Sequence, residues 1–106
     1  MLARLRHPNI CLFLGASLSP PNRSIITELV SRGSLWDVLR TPNLFSGDHA
    51  ADRSYWALPS RVAQRVLKGC CAGLIYLHGL KPNAVIHRDL KSANILLDES
   101  FHPKVC

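Results

Sequence analysis

A charged segment, flanked on both sides by apolar residues, is the part of this sequence that is best equipped for chemistry. The segment VIHRDLKSANILLD covers residues 85–98 and spaces Asp89, Lys91 and Asn94 as D-x-K-x-x-N. A carboxylate can orient a hydroxyl group and accept its proton, and an ammonium group can neutralise negative charge that develops on a phosphate. An amide oxygen is a suitable ligand for Mg²⁺, which prefers oxygen donors. Taken alone, the same three residues also fit an ordinary solvated turn.

These three tasks are the ones that phosphoryl transfer requires together, because its catalysis consists mainly of positioning and charge stabilisation. Apolar residues at both ends of the segment would anchor the loop and leave its polar groups accessible. The elements that hold the loop therefore decide whether the chemistry is available.

Two strands are predicted in the first third of the chain. Residues 10–18 are apolar on both alternating faces, which is typical of a strand covered on both sides. Residues 24–30 are rich in β-branched side chains, and a Ser-Pro-Pro-Asn turn at 19–22 separates the two runs. We therefore expect an antiparallel hairpin.

A short helix and an exposed loop are predicted next. Ser34 is placed to cap a helix over 35–40, because its hydroxyl group can accept a hydrogen bond from a free backbone N–H. Residues 41–57 contain Pro, Gly, Ser and several charged side chains, which favours an exposed loop. Tyr55 and Trp56 are expected to pack back onto the protein.

A long helix is predicted over residues 59–78. Pro59 suits a first helical position, and Gly79 marks the end. Gly69 and Gly73 reduce helix propensity, which predicts a close-packed neighbour at these positions. The helix carries an apolar stripe with spacings of three and four, formed by Val62, Val66, Cys70, Leu74 and Leu77.

The segment after the charged loop completes the fold prediction. Residues 94–98 are interpreted as a strand, 99–101 as a turn and 102–106 as a returning strand. The order of strands, short helix, loop, long helix and hairpin predicts an α+β fold, because an α/β fold would alternate parallel strands with helices.

Composition limits the class of protein. The chain has 106 residues, of which 47% are hydrophobic and 19% are charged, so it suffices for one small domain. No apolar run is long enough to span a membrane, and no secretory signal is visible. The net charge of +6 comes from scattered residues, so a nucleic-acid binder rests on charge alone and is not favoured.

The pattern of cysteines predicts a reducing environment for the protein. No pair forms C-x-x-C, and a bridge between the adjacent Cys70 and Cys71 would be strained. We interpret all four cysteines as reduced thiols of an intracellular, cytoplasmic protein, with Cys11 and Cys70 filling core positions.

The charged loop resembles a known family. HRDLKSAN, at 87–94, is similar to the catalytic loop of protein kinases, H-R-D-L-x-x-x-N. RHPNI, at 6–10, resembles the turn before the fourth strand of the kinase small lobe. TELVSRGSL, at 27–35, resembles the last strand of that lobe, the hinge and the start of the next helix. Lys104-Val105-Cys106 resembles the residues that precede the D-F-G motif.

The resemblance is closest to the tyrosine-kinase-like group, with its Raf-like and mixed-lineage members. Lys91 within HRDLKSAN, together with LFLGASL and SRGSL, carries this finer likeness. That group phosphorylates mainly Ser and Thr. The resemblance implies a partial kinase domain, with 1–30 as a remnant of the small lobe and the start of the hinge, and 31–106 as the first part of the large lobe.

The resemblance also implies roles in the transfer itself. Asp89 would be the catalytic base, Lys91 would contact the transferred phosphate, and Asn94 would hold Mg²⁺. Arg88 would pair with a phosphorylated residue of an activation loop, and His87 would be structural.

A further set of residues would bind ATP. Thr27 would be the gatekeeper behind the adenine pocket, and the backbone of Glu28 and Val30 would hydrogen-bond adenine. Ser34 would lie near the ribose, and Leu96 would form the floor under the ring.

The family's other clamps are not found in this sequence, which has no Gly-x-Gly-x-x-Gly, no V-A-I-K and no D-F-G. The expected function is ATP-dependent phosphorylation of Ser/Thr hydroxyls of protein substrates by a longer kinase. We expect this chain alone to be inactive and marginally stable or prone to aggregation, with bare strand edges on the hairpin. A non-catalytic, pseudokinase-like interaction module is the alternative.

Overall fold

The computed structural model describes residues 4–41, 44 and 58–106. In these ranges it has four strands and two α-helices, with a 3₁₀ turn between the second helix and the third strand. They are β1 (Phe13–Ser17), β2 (Ser24–Thr27), α1 (Leu35–Arg40), α2 (Ser60–His78), the 3₁₀ turn Ser92–Asn94, β3 (Ile95–Leu97) and β4 (Pro103–Val105). The predicted α+β order is confirmed. Most of the loop predicted over 41–57, including Tyr55 and Trp56, lies outside the described residues.

The first two strands form the predicted antiparallel hairpin. Phe13 pairs with Thr27 and Ser17 pairs with Ser24, with one irregularity in the register near the start of β1. The prediction that the first strand is covered on both sides is wrong, because Leu14 is 61% exposed and all of β2 is exposed. β1 and β2 form a two-stranded sheet of their own.

Helix α1 begins at a capping box that the sequence predicted in part. The Ser34 hydroxyl accepts a hydrogen bond from the backbone N–H of Asp37 at 3.1 Å, and the Asp37 carboxylate accepts one from the backbone N–H of Ser34 at 3.4 Å. These bonds use backbone groups that a helix start otherwise leaves unpaired. Val38 is the buried residue of this helix and anchors it to the core.

Helix α2 begins one residue later than predicted. Pro59 has an extended ψ of 142° and precedes the helix, while Gly79 follows its last residue. The predicted stripe faces inward, since Val66, Cys70 and Leu77 are buried. The remaining stripe residues, Val62 and Leu74, are half-buried.

The two helix glycines have the close neighbours that the sequence predicted. A Cβ on Gly69 would lie 2.3 Å from Cγ of Pro103, and one on Gly73 would lie 2.9 Å from the backbone oxygen of Asn9. Asn9 also donates from Nδ2 to the backbone oxygen of Pro103 at 2.9 Å. The segment after residue 6 and strand β4 therefore meet on the glycine face of α2.

Strands β3 and β4 form a second antiparallel hairpin that the hinge extends. Ile95 pairs with Val105 and Leu97 pairs with Pro103. On the other side of β3, the Leu97 N–H donates to the Gly33 oxygen and the Arg32 N–H donates to the Leu97 oxygen, each at 2.9 Å. Residues 32–34 are therefore held directly against the strand that follows the charged loop.

The core lies between α2, the β3–β4 hairpin and the segment before β1. Its buried members are Leu5, Ile10, Val38, Val66, Cys70, Leu77, Ile95, Leu97 and Val105. The β1–β2 hairpin contributes no residue to this set. Among the described residues, no helix has the combination of length and apolarity that a membrane span requires.

Candidate active site

The charged loop brings its three predicted functional side chains together. Asn94 donates from Nδ2 to the backbone oxygen of Asp89 at 2.9 Å and to its carboxylate Oδ2 at 3.1 Å. Lys91 places Nζ 3.4 Å from the same Oδ2. The Asp89 and Lys91 side chains are 67% and 57% exposed, so they are positioned without being removed from solvent. The carboxylate, the ammonium group and the amide thus share one accessible surface.

His87 holds the loop from within. Its Nδ1 accepts a hydrogen bond from the Asp89 backbone N–H at 3.1 Å, and its Nε2 lies 2.6 Å from the backbone oxygen of Cys106. Since Nδ1 is the acceptor, the ring proton sits on Nε2 and is donated to Cys106. The ring therefore ties the residue at the centre of the loop to the end of strand β4.

Two further features fix the backbone of the loop. Arg88 has a φ of 68°, in the left-handed region that costs a non-glycine residue energy. The backbone N–H of Asn94 donates to the backbone oxygen of Lys91, and the backbone oxygen of Asn94 accepts from the N–H of Cys106, each at 2.9 Å. The 3₁₀ turn that carries Asn94 is thus closed on one side by the loop and on the other by β4.

The predicted ATP-binding residues fall into two groups in the structure. Ser34 and Leu96 are paired as an isolated antiparallel bridge, so these two are direct neighbours. The Ser34 hydroxyl is buried and donates to Asp37 Oδ2 at 2.9 Å. It also accepts a hydrogen bond from the Asp37 N–H at 3.1 Å, so it acts as a helix cap in this structure. Leu96 is half-buried next to it.

The second group lies where β2 leads into the hinge. Thr27 is exposed and donates to the Glu28 oxygen at 3.3 Å, while the Glu28 N–H donates to the Leu12 oxygen at 2.9 Å. Val30 is buried, and its carbonyl accepts from the Gly33 N–H at 3.2 Å. These bonds define the hinge conformation before any ligand is considered.

The Glu28 side chain connects three separate segments. Its Oε1 accepts a hydrogen bond from the Leu12 N–H at 2.9 Å and lies 3.0 Å from Lys104 Nζ. Burial alone would raise the pKa of Glu28, but the Leu12 N–H and the Lys104 ammonium group outweigh it and hold that pKa below its ordinary value. The charged form of Glu28 is therefore the one that the fold uses.

Comparison with known proteins decides the family. The sequence pattern of the protein kinase domain matches residues 1–106, which is the whole chain. The chain belongs to the protein kinase domain family. It is 42% identical over 106 residues to the serine/threonine-protein kinase CTR1 of Arabidopsis thaliana and 41% identical over 106 residues to the probable serine/threonine-protein kinase SIS8 of the same plant. It is 44% identical over 105 residues to the probable serine/threonine-protein kinase DDB_G0271682 of Dictyostelium discoideum.

The match covers the chain and a small part of each relative. All of this chain is aligned with the two plant kinases, but it spans 12% of CTR1 and 9% of SIS8. With the Dictyostelium kinase, 99% of this chain is aligned with 9% of the relative. The resemblance to a partial protein kinase domain, drawn from the HRDLKSAN loop and its flanks, is confirmed.

The kinase loop can be tested for its fit to a metal ion. Nδ2 of Asn94 is engaged by Asp89, so the amide oxygen of Asn94 is the atom available as a ligand. That is a hard oxygen donor of the kind Mg²⁺ takes, and the Asp89 carboxylate lies next to it. In the ranges that the structure describes, no group of three or more His, Cys, Asp or Glu side chains could hold a metal ion. The loop therefore fits Mg²⁺ with one protein ligand, the amide oxygen of Asn94.

Two features of this kinase chain were not predicted from the sequence. The ion pair between Glu28 and Lys104 and the bond from His87 to the Cys106 backbone each join positions far apart in the chain. A charged residue in a strand, such as Lys104, is a weak signal, since most such residues are solvated. The antiparallel pairing of β3 with β4 and the parallel contact of residues 9–11 with Val105 are what bring these groups together.

Proposed function

We propose that this chain contributes the hinge and the catalytic loop of a serine/threonine protein kinase, which transfers the γ-phosphoryl group of ATP to Ser/Thr hydroxyls of proteins. The observation that carries the proposal is the contact of Asn94 Nδ2 with Asp89 Oδ2 at 3.1 Å, with Lys91 Nζ 3.4 Å from the same oxygen. Membership of the protein kinase family and the names of the relatives support the same reaction. We further propose that the reaction takes place inside the cell.

Each charged group of the loop has a task in this transfer. Asp89 would accept the proton of the substrate hydroxyl and orient it, and its high exposure leaves room for that group. Lys91 would leave its weak ion pair with Asp89 to contact the transferred phosphate, where its charge offsets the charge that develops. Arg88 is exposed and would pair with a phosphorylated residue of an activation loop.

Asn94 would hold Mg²⁺ through its amide oxygen, while its amide nitrogen continues to orient Asp89. When bound, Mg²⁺ would neutralise charge on the ATP phosphates. The amide group suits this double task because it carries a donor and an acceptor on opposite atoms.

The hinge would bind the nucleotide. The backbone of Glu28 and Val30 would hydrogen-bond adenine, and Thr27 would lie behind the ring. Leu96 would form the floor under the adenine ring, and its backbone bridge to Ser34 would hold the hinge at a fixed distance from it. Because the Ser34 hydroxyl caps α1, its contribution near the ribose would come from its position and not from a spare hydrogen bond.

The central prediction concerns Asp89 in a longer kinase that carries this chain. Replacing Asp89 by Ala removes the proton acceptor, so phosphorylation of a generic Ser/Thr protein substrate should fall at least about 100-fold. The exposed side chain should leave the melting temperature nearly unchanged. Radiolabelled phosphate transfer with Mg-ATP measures the first effect, and thermal denaturation measures the second.

The matched control is Glu99→Ala, which removes an exposed carboxylate outside the loop and should retain activity. Asn94→Asp separates the two tasks of Asn94, because it keeps an oxygen ligand and loses the amide donor to Asp89. Full activity of Asp89→Ala would contradict the role of this residue.

The kinase proposal and the non-catalytic alternative differ in whether the protein binds Mg-ATP. The 106-residue chain alone should show no turnover, since it carries one base and one metal ligand. Stabilisation of the chain by Mg-ATP in a thermal-shift measurement would support nucleotide binding at the hinge, because a ligand that binds only the folded state raises the melting temperature. No shift with either the chain or a longer kinase that contains it would favour a pseudokinase-like interaction module.

A further inference from the structure

Two cysteines that are far apart in sequence are neighbours across a short parallel contact. The Val105 N–H donates to the Asn9 oxygen at 2.8 Å, and the Cys11 N–H donates to the Val105 oxygen at 2.9 Å. This is the hydrogen-bond pattern of a parallel bridge in which Ile10 is level with Val105. One residue further along each segment, Cys11 is level with Cys106.

The register also determines which way the two thiols face. Ile10 and Val105 are 6% and 2% exposed and point into the core. Because successive side chains in extended segments point to opposite faces, Cys11 and Cys106 share the other face. Cys11 is half-buried there, and Cys106 is exposed. Neighbouring strands lie about 4.8 Å apart, which falls within the Cα separation of roughly 4.4–6.8 Å that disulfides bridge.

The Cys106 Sγ lies 3.8 Å from the Lys104 backbone oxygen, and the Cys106 side chain also affects the ionisation of Cys11. A hydrogen bond from the Cys106 thiol lowers the pKa of the Cys11 thiol to about 7, and the nearby Thr27 hydroxyl and the Lys104 ammonium group act in the same direction. Burial and the Glu28 carboxylate oppose this shift. At neutral pH, Cys11 therefore carries a substantial fraction of thiolate, which is the form that reacts with oxidants.

We propose that Cys11 and Cys106 form a reversible disulfide and that this pair is a site of oxidation by hydrogen peroxide. The Cys11 thiolate attacks one peroxide oxygen, the O–O bond breaks, and hydroxide leaves to give a sulfenic acid on Cys11. The Cys106 sulfur then attacks the Cys11 sulfur, and water leaves as the Cys106 proton is taken up. Two thiols are oxidised by two electrons in total, and one peroxide is reduced to two waters.

The bridge would act on the part of the chain that holds the charged loop. The Cys106 backbone contacts His87 through its oxygen and Asn94 through its N–H, so a covalent bond at Cys106 constrains both. Closing residues 11–106 into one loop also restricts the unfolded chain strongly, because stabilisation by a disulfide grows with loop length. The proposal is independent of the proposed kinase activity, since it concerns the thiols alone.

The other two cysteines provide an internal control. Burial raises the pKa of the Cys70 thiol, which makes it less reactive. Cys71 is exposed and adjacent to Cys70, and a bridge between neighbours would be strained. Selective oxidation should therefore appear at Cys11 and Cys106 first.

The test oxidises the 106-residue chain with hydrogen peroxide, followed by tryptic digestion without reductant and mass spectrometry. The expected product joins peptide 7–23 to the peptide that ends at Cys106, with the loss of two hydrogens, and dithiothreitol separates the two peptides. The rate of bridge formation should rise as pH increases through about 7. The oxidised chain should melt about 10 °C or more above the reduced chain.

Variants complete the design. Cys11→Ser should abolish the linked peptide and the thermal shift, whereas Cys71→Ser should leave both unchanged. Circular dichroism of each variant checks that its secondary structure is retained. The proposal is overturned if Cys11 and Cys106 are modified separately without a bridge, or if peptides containing Cys70 or Cys71 cross-link in their place.

Discussion

Single side chains in this protein close the turns that hold the candidate site. Asp98 is an example, at the turn between β3 and β4. Its Oδ1 accepts hydrogen bonds from the Ser100 N–H at 2.9 Å and the His102 N–H at 2.8 Å. Phe101 in the same turn has a φ of 61°, so the carboxylate stabilises a turn with one strained residue. His87 plays the corresponding part in the charged loop.

The Asp98 turn should weaken in acid. Burial raises the pKa of Asp98, but the His102 and Ser100 N–H groups outweigh it and hold that pKa below its ordinary value of 3.8. The charged form therefore stabilises the fold above that value, and the contribution is lost as pH falls through the lower folded pKa. Amide exchange at Ser100 and His102 should be faster in Asp98→Ala than in the wild type at pH 7, by roughly 5- to 10-fold.

The control for this prediction is Asp98→Asn, which keeps an acceptor oxygen without a titrating charge. The protection of its Ser100 and His102 amides from exchange should be intermediate. It should not fall as the pH drops through the folded pKa of Asp98, because asparagine does not titrate. Equal protection of wild type and Asp98→Ala at pH 7, after correction for intrinsic exchange rates, would contradict the role of the carboxylate.

At the scale of elements, helix α2 supports the β3–β4 hairpin, which packs against it. Its glycine face admits Asn9 and Pro103 at distances that no larger side chain allows. Since β4 ends at residue 105 and Cys106 binds His87, the depth of this contact sets the position of the charged loop. A change in the helix face should therefore affect the hairpin as well as the helix.

Gly69→Ala should destabilise the protein even though Ala favours a helix. The gain in helix propensity is at most about 1 kcal/mol, whereas the new Cβ would lie 2.3 Å from Cγ of Pro103. Overpacking of this kind costs about 1–3 kcal/mol, so we expect a net loss. Urea denaturation of the dilute chain measures the change.

Gly15→Ala is the matched control, because nothing lies within 4 Å of the Cβ it would introduce. It should change the free energy of unfolding by less than about 0.5 kcal/mol. A Gly69→Ala chain as stable as the wild type would show that Pro103 moves aside easily.

On the scale of the whole molecule, apolar side chains remain on the surface of the described part of the chain. Leu29 is 96% exposed, Ile75 is 72% exposed, and Ile25 is 65% exposed. They lie on the hinge, on α2 and on β2, so the exposure is not confined to one element. Exposed apolar surface of this extent favours association.

We therefore expect the 106-residue chain to be marginally stable and to self-associate as its concentration rises. Size-exclusion chromatography over a dilution series and binding of a hydrophobic dye measure this. Ile75→Lys, on the exposed face of α2, should reduce association without loss of helix, because the residue is solvated already. A monomer at all concentrations with a sharp transition at high temperature would contradict the expectation.

The sequence by itself determined the local structure and the identity of the loop. The Ser34 cap, the stripe on α2 and the turn at 99–101 follow from short-range rules, and HRDLKSAN fixes the spacing of Asp89, Lys91 and Asn94. Such features depend on residues a few positions apart, whose geometry the backbone dictates. The sequence of residues 10–18 predicts a strand that is buried on both faces, and this is wrong. The burial of a strand depends on the elements that pack over it and not on its own composition.

Only the tertiary structure decided which distant residues meet. The Glu28–Lys104 ion pair, the bond from His87 to Cys106 and the register of Cys11 with Cys106 arise because β4 pairs with β3 on one side and with residues 9–11 on the other. No periodicity in the sequence encodes such contacts, since each is set by the packing of separate segments on the glycine face of α2.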